Sequence, residues 1–158
     1  MAAIAHAFTE QGTRQTVTGV TYTTVASIAS GNFVAGGVYL IRVTALFDIS
    51  VTTNDGLVRL THGTTEFVGT EYRKRPMTAG STAPYTYATH LVWTALSGEA
   101  VNLQAAGSGA STVIGVDQIC MVAMRLDVDL VENTDWYQNT YGSDPTSITT
   151  GGVAGATL

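Results

Sequence analysis

From Val38 to Ile49 the chain alternates with a period of two. Tyr39, Ile41, Val43, Ala45, Phe47 and Ile49 are all apolar, and the intervening Val38, Leu40, Arg42, Thr44, Leu46 and Asp48 drift from apolar to polar. Successive side chains on a strand point to opposite faces, so this segment reads as a strand with one face wholly in a core and the other only partly wet. A helix would mix Arg42 and Asp48 into its apolar stripe, which disfavours it.

Similar short strands punctuated by turns fill most of the remaining sequence. Thr alternates with Val17, Val20, Tyr22, Val25 and Ile28, which suggests one or two edge strands. Asn54-Asp55-Gly56 reads as a tight hairpin turn, because Asp-Gly supplies positive φ. Leu57–Thr61, Thr64–Tyr72, Tyr85–Leu96, Ala100–Ala106 and one or two strands over Thr112–Leu126 follow. About eight strands with turns every 8–12 residues predict an all-β, jelly-roll-like antiparallel β-sandwich with almost no helix. The expected organisation is an extended N-terminal arm over 1–12 anchored by Phe8, a sandwich domain over 13–130 and an extended C-terminal tail over 131–158.

Composition narrows the partners. Only 12% of residues are charged, against a usual ~25%. Such a surface suits extensive cover by neighbouring subunits. The formal net charge of −5 argues against nucleic acid, which requires a basic face. Cys120 is the only cysteine, so no intrachain disulfide is expected; within Ile119-Cys120-Met121-Val122 it reads as an inert core thiol. The N-terminus lacks the basic and apolar regions of a signal peptide. No uninterrupted apolar run approaches ~18 residues, so no membrane partner is expected.

No constellation for catalysis is legible, and no cofactor or metal is expected. His6, His62 and His90 lack zinc-motif spacing, and Gly107-Ser108-Gly109 lacks the Lys of a phosphate loop. Asp127, Asp129, Glu132 and Asp135 lack the glycine of a calcium loop and read as an acidic strand exit. Glu66 and Glu71 differ by an odd number, so one regular strand would send them to opposite faces, a poor arrangement for paired carboxylates.

Protein contact is the better-supported chemistry. Residues 119–126 are apolar on both faces, so the outer face needs a cover: a partner subunit, or the chain's own arm or tail. Arg73-Lys74-Arg75 is the one basic cluster and reads either as a solvated strand end or as an anchor for an acidic protein surface, such as a neighbour's tail. The tail has no Lys or Arg, and Trp136, Tyr137 and Tyr141 are its large anchors. The expected contact residues are therefore Phe8, Arg73, Lys74, Arg75, Trp136, Tyr137 and Tyr141. Tyr72, Tyr85, Tyr87 and Trp93 around the 77–84 loop suit either core and interface positions or sugar stacking, with core and interface favoured.

Val38-Tyr39-Leu40-Ile41-Arg42-Val43-Thr44-Ala45, Val58-Arg59-Leu60-Thr61-His62-Gly63-Thr64, Ala100–Ala105 and Met124-Arg125-Leu126-Asp127 together resemble strand and turn segments of jelly-roll virion proteins of tailed bacteriophages. The resemblance covers about residues 15–127 and carries no catalytic residues. It implies a virion structural protein, often a trimeric capsid decoration or cement protein. That protein would be made in the host cytoplasm, assembled on the particle exterior, and partnered by copies of itself and by major capsid or other virion proteins. The alternative it implies is a tail or fibre component, or a receptor- or carbohydrate-binding module using Tyr85, Tyr87, Trp93 and the 77–84 loop.

Overall fold

The computed structural model describes residues 6–50, 53–76, 84–96 and 98–127. Ten strands run in order: β1 (His6–Gln11), β2 (Gln15–Thr18), β3 (Thr23–Ile28), β4 (Val38–Ile49), β5 (Gly56–His62), β6 (Thr65–Glu66), β7 (Tyr72–Lys74), β8 (Tyr85–Thr94), β9 (Val101–Gly107) and β10 (Val113–Arg125). A single 3-10 turn at Ser30–Asn32 is the only helical element among the described residues. Sheet A has the order β1-β10-β4-β8, with β2 also on β10; sheet B has the order β3-β9-β5-β6, with β7 also on β5. Every strand pairing among the described residues is antiparallel. From β3 onward the longer strands switch sheets at successive connections, which is the winding of a jelly roll.

The alternation along β4 sets the layering. Ile41 and Val43 are fully buried and Phe47 is 1% exposed, and they meet Val58, Leu60 and Leu103 of sheet B in one core. Burying each such side chain is worth about 1.5–3 kcal/mol, which makes the facing sheets the main source of stability. One end of the core is aromatic. Phe33 lies edge-on to Tyr39 and Trp93, at 5.1 and 5.3 Å between centroids. Phe67 lies edge-on to Trp93 at 5.6 Å. His62, the last residue of β5, packs on Phe67 and Trp93 while its Nδ1 lies 2.7 Å from Glu99.

Several expectations change in three dimensions. The segment read as an extended arm contains β1, which pairs with Ile119–Met124 of β10 along its whole length. Those backbone bonds were invisible in a weakly patterned, small-residue sequence. Asn54-Asp55-Gly56 does not close a hairpin: β4 pairs with β8 and β10, and β5 pairs with β9, so this corner carries the chain between sheets. Gly56 is required by space rather than by positive φ, because a Cβ there would lie 2.7 Å from Ile49 Cγ1.

The expected strand over 64–72 is broken. β6 stops at Glu66, Gly69 takes φ 81°, and Thr70 Oγ1 accepts from Leu60 N and donates to Phe67 O, forming a turn before β7. Over 112–126 there is one long strand with a bulge between Asp117 and Cys120, where Gln118 has φ 47°. The bulge shifts Cys120 onto the outer face of sheet A, where it is half-buried instead of in the core.

Candidate functional site

The two sheets present different outer faces. On sheet B the face is polar and self-satisfied. The Arg59 guanidinium lies 3.6 Å over the Tyr22 ring, donates to Glu66 at 2.8 Å and donates to Gln104 at 3.1 Å. The Tyr22 hydroxyl donates to Glu71 at 2.6 Å, and Ser27 donates to Asn102 at 2.8 Å. Partial burial, with the adjacent Glu71 carboxylate, pushes the Tyr22 phenol up. Glu66 and Glu71 are thus brought to one network, against the opposite-face expectation, because the turn at Gly69 separates them. Both carboxylates already accept hydrogen bonds within it.

Sheet A is different. Residues directly opposite one another in a sheet share a face. Met124, Leu40 and Val92 form one such row across β10, β4 and β8. Val92 is 63% exposed, Met124 40% and the following Leu126 46%. Val34 and Leu96 at the same end of the sandwich are exposed as well. The loops that carry them are joined by Gly36 N to Ala95 O, and Leu126 N donates to Val38 O. The apolar surface therefore runs from the end loops onto the sheet.

The next row is Val122, Arg42 and His90, and the one after it Cys120, Thr44 and Ala88. A shallow depression lies between β4 and β8, bordered by Leu40, Arg42, Thr44, Ala88 and His90. At the far end the face is closed by Arg14, which lies over Gly115, forms a bidentate pair with Asp48 and lies 3.8 Å from Asp117.

The charge inventory singles out Arg42. Arg14 pairs with Asp48, Arg59 with Glu66, Arg73 and Arg75 with Asp55, and Arg125 with Asp127. Lys74 sits 5.3 Å over the Tyr85 ring. Among the described residues Arg42 alone has neither a carboxylate nor an aromatic partner, and it is exposed beside an exposed His90.

Of the contact residues expected from sequence, Phe8 lies in β1 opposite Val122. The basic cluster is partly occupied: Arg75 donates to buried Asp55 at 2.6 Å, and Arg73 lies 3.6 Å from it. Since both arginines are 61% exposed, solvent screening limits the energy. We expect Arg75→Ala to cost about 1 kcal/mol, with Lys74→Ala within ~0.5 kcal/mol of wild type, in urea titrations monitored by tryptophan fluorescence. Equal losses at both positions would contradict the pairing with Asp55. Trp136, Tyr137 and Tyr141 lie outside the described residues.

Tyr87 and Trp93 are 3% and 9% exposed and face the core, so they form no stacking platform for a sugar. The Tyr87 hydroxyl donates to Thr70 O at 2.9 Å, and burial pushes its phenol up. Among the described residues no group of three or more His, Cys, Asp or Glu side chains is placed to hold a metal. Asp127 is engaged by Arg125 at 2.6 Å, which holds its carboxyl below the usual range. The sequence reading missed Leu40, Arg42, His90 and Val92 as one surface. The alternation placed each on an outward face, but only the β4–β8 register puts them side by side.

No family model matches the chain, and no curated protein matches it. Solved structures do. Eiger TNF from S. frugiperda superposes with a TM-score of 0.53 at 12% identity, over 81% of this chain and 96% of the other. The infectious bursal disease virus Gx strain structure gives 0.44 at 11% identity, covering 79% of this chain and 37% of the other. PRD1 vertex protein P5 gives 0.40 at 13% identity, covering 80% and 100%. At 12% identity the Eiger likeness is one of fold, and the strand order makes that fold the jelly-roll β-sandwich anticipated from the period-two pattern.

Proposed function

We propose that this protein is a structural component of a tailed-bacteriophage virion, a capsid decoration or cement protein. It assembles as a homotrimer and binds major capsid protein or other virion proteins on the outside of the shell. The observation that carries the reading is the unequal pair of outer faces. Sheet B satisfies its polar groups internally, whereas sheet A leaves Val92, Met124 and Leu126 toward water beside a half-buried Leu40. A contiguous apolar patch on a polar-rimmed protein marks a contact surface. The sequence resemblance over about residues 15–127 supports the viral setting.

The mechanism is burial of area. A standard interface removes ~1,600 Å² from water. Weak contacts repeated on a lattice then gain by effective concentration. No step requires a nucleophile or a cofactor. Native mass spectrometry of the purified chain is expected to give three times the 16.5 kDa chain mass. Counting copies on purified particles separates shell decoration, with hundreds of copies, from a tail or fibre device, with a handful. A monomer at micromolar concentration overturns the self-association.

A further inference from the structure

Arg42 and His90 lie side by side on the outer face of sheet A, one row from Leu40 and Val92. A partner suited to this surface carries a carboxylate next to large apolar side chains. This polypeptide contains such a segment. Residues 128–158 hold four carboxylates, Asp129, Glu132, Asp135 and Asp144, and no Lys or Arg, and Asp135 directly precedes Trp136 and Tyr137. We propose that the β4–β8 depression of one copy receives the C-terminal tail of an adjacent copy. Glu132 or Asp135 meets Arg42 and His90, and Trp136 and Tyr137 cover the Leu40–Val92–Met124 row. The proposal rests on the self-association proposed above and names what occupies that face.

Charge, reach and direction support it. An arginine pairs well with a carboxylate when water is excluded, and Arg42 has no other carboxylate among the described residues. An extended chain from Asp127 to Trp136 spans about 30 Å, comparable to the ~33 Å length of β8. At the exit Leu126 N donates to Val38 O at 2.7 Å, and Asp127 accepts from Arg125 at 2.6 Å, which aims the chain past the end of β4. Val128, Leu130 and Val131 favour extended backbone, and the first glycine and proline after Asp127 are Gly142 and Pro145.

The test uses the full chain in two co-expressed forms. One carries the photo-crosslinking residue p-benzoylphenylalanine in place of Val92, and the other carries an epitope tag. After irradiation, trypsin leaves the tail within a single 126–158 peptide, because no Lys or Arg follows Arg125. We expect mass spectrometry to find position 92 of the first form joined to the 126–158 peptide of the tagged form. Arg42→Glu should lower the crosslinking of position 92 to tail residues about tenfold, and adding Glu132→Arg and Asp135→Arg, whose tail trypsin cuts into 126–132, 133–135 and 136–158, should restore most of it. Circular dichroism checks that each variant remains folded. Crosslinks confined to one chain, or made only to another copy's strands in an intact oligomer, overturn the tail assignment alone. A monomer in native mass spectrometry overturns the self-association and the tail assignment together.

Discussion

Val92→Asp combined with Met124→Asp is expected to abolish self-association while leaving a folded sandwich. The two residues flank Leu40 on opposite sides of one row, with 63% and 40% of their surface exposed in the isolated chain. Folding leaves most of Val92 in water but covers more than half of Met124, so the cost to the fold is about 1 kcal/mol at Val92, set mainly by the poor strand propensity of aspartate, and about 2 kcal/mol at Met124, which also loses apolar contact. In the proposed assembly both positions become dry. A truncated central contact there costs about 2 kcal/mol or more, and a carboxylate forced into the same space adds its desolvation. Allowing for coupling between close sites, dissociation should rise at least ~100-fold. Sedimentation equilibrium, with a circular dichroism melt as control, reads both quantities. An oligomer of unchanged affinity would place the contact elsewhere.

The opposite signature is expected from Phe47→Ala. Phe47 is 1% exposed and lies in β4 between Tyr72 at 5.8 Å and Tyr85 at 5.6 Å. Truncating a buried phenylalanine in a well-packed core costs about 3–5 kcal/mol, from lost transfer energy and from the cavity left behind. Against a total stability of about 5–15 kcal/mol this is a large share. At about 2–4 °C per kcal/mol, the melting temperature should fall by roughly 10 °C or more. Assembly should weaken only in proportion to the unfolded fraction. A loss below ~1 kcal/mol in a chemical melt would mean that Phe47 does not fill the space between the sheets.

The contrast between these substitutions follows what is legible in the amino-acid order. The inward row of β4 could be read directly, because alternation is a local property and burial of every second residue follows from it. Asp55-Gly56 was misread because the same dipeptide serves a tight hairpin and a corner between sheets. What separates them is whether Ile49 packs against a glycine or beside a Cβ. Cys120 was placed in the core because a bulge at Gln118, which reverses the phase of the strand, has no clear signature in a run of apolar residues. The pairing of Arg73 and Arg75 with Asp55 is not legible in sequence because the two arginines and Asp55 are far enough apart to look independent.

The amino-acid order alone determined that this polypeptide is pleated, two-layered and, over its described residues, nearly free of helix, since those properties depend on the spacing of apolar side chains along a few neighbouring residues. Which outward side chains touch was decided only by tertiary structure. The rows Met124–Leu40–Val92 and Val122–Arg42–His90 join residues far apart in the chain. Strand register is a long-range choice, set by how both sheets close on one core, and it alone turns scattered exposed positions into a single apolar face with an arginine that no described carboxylate meets.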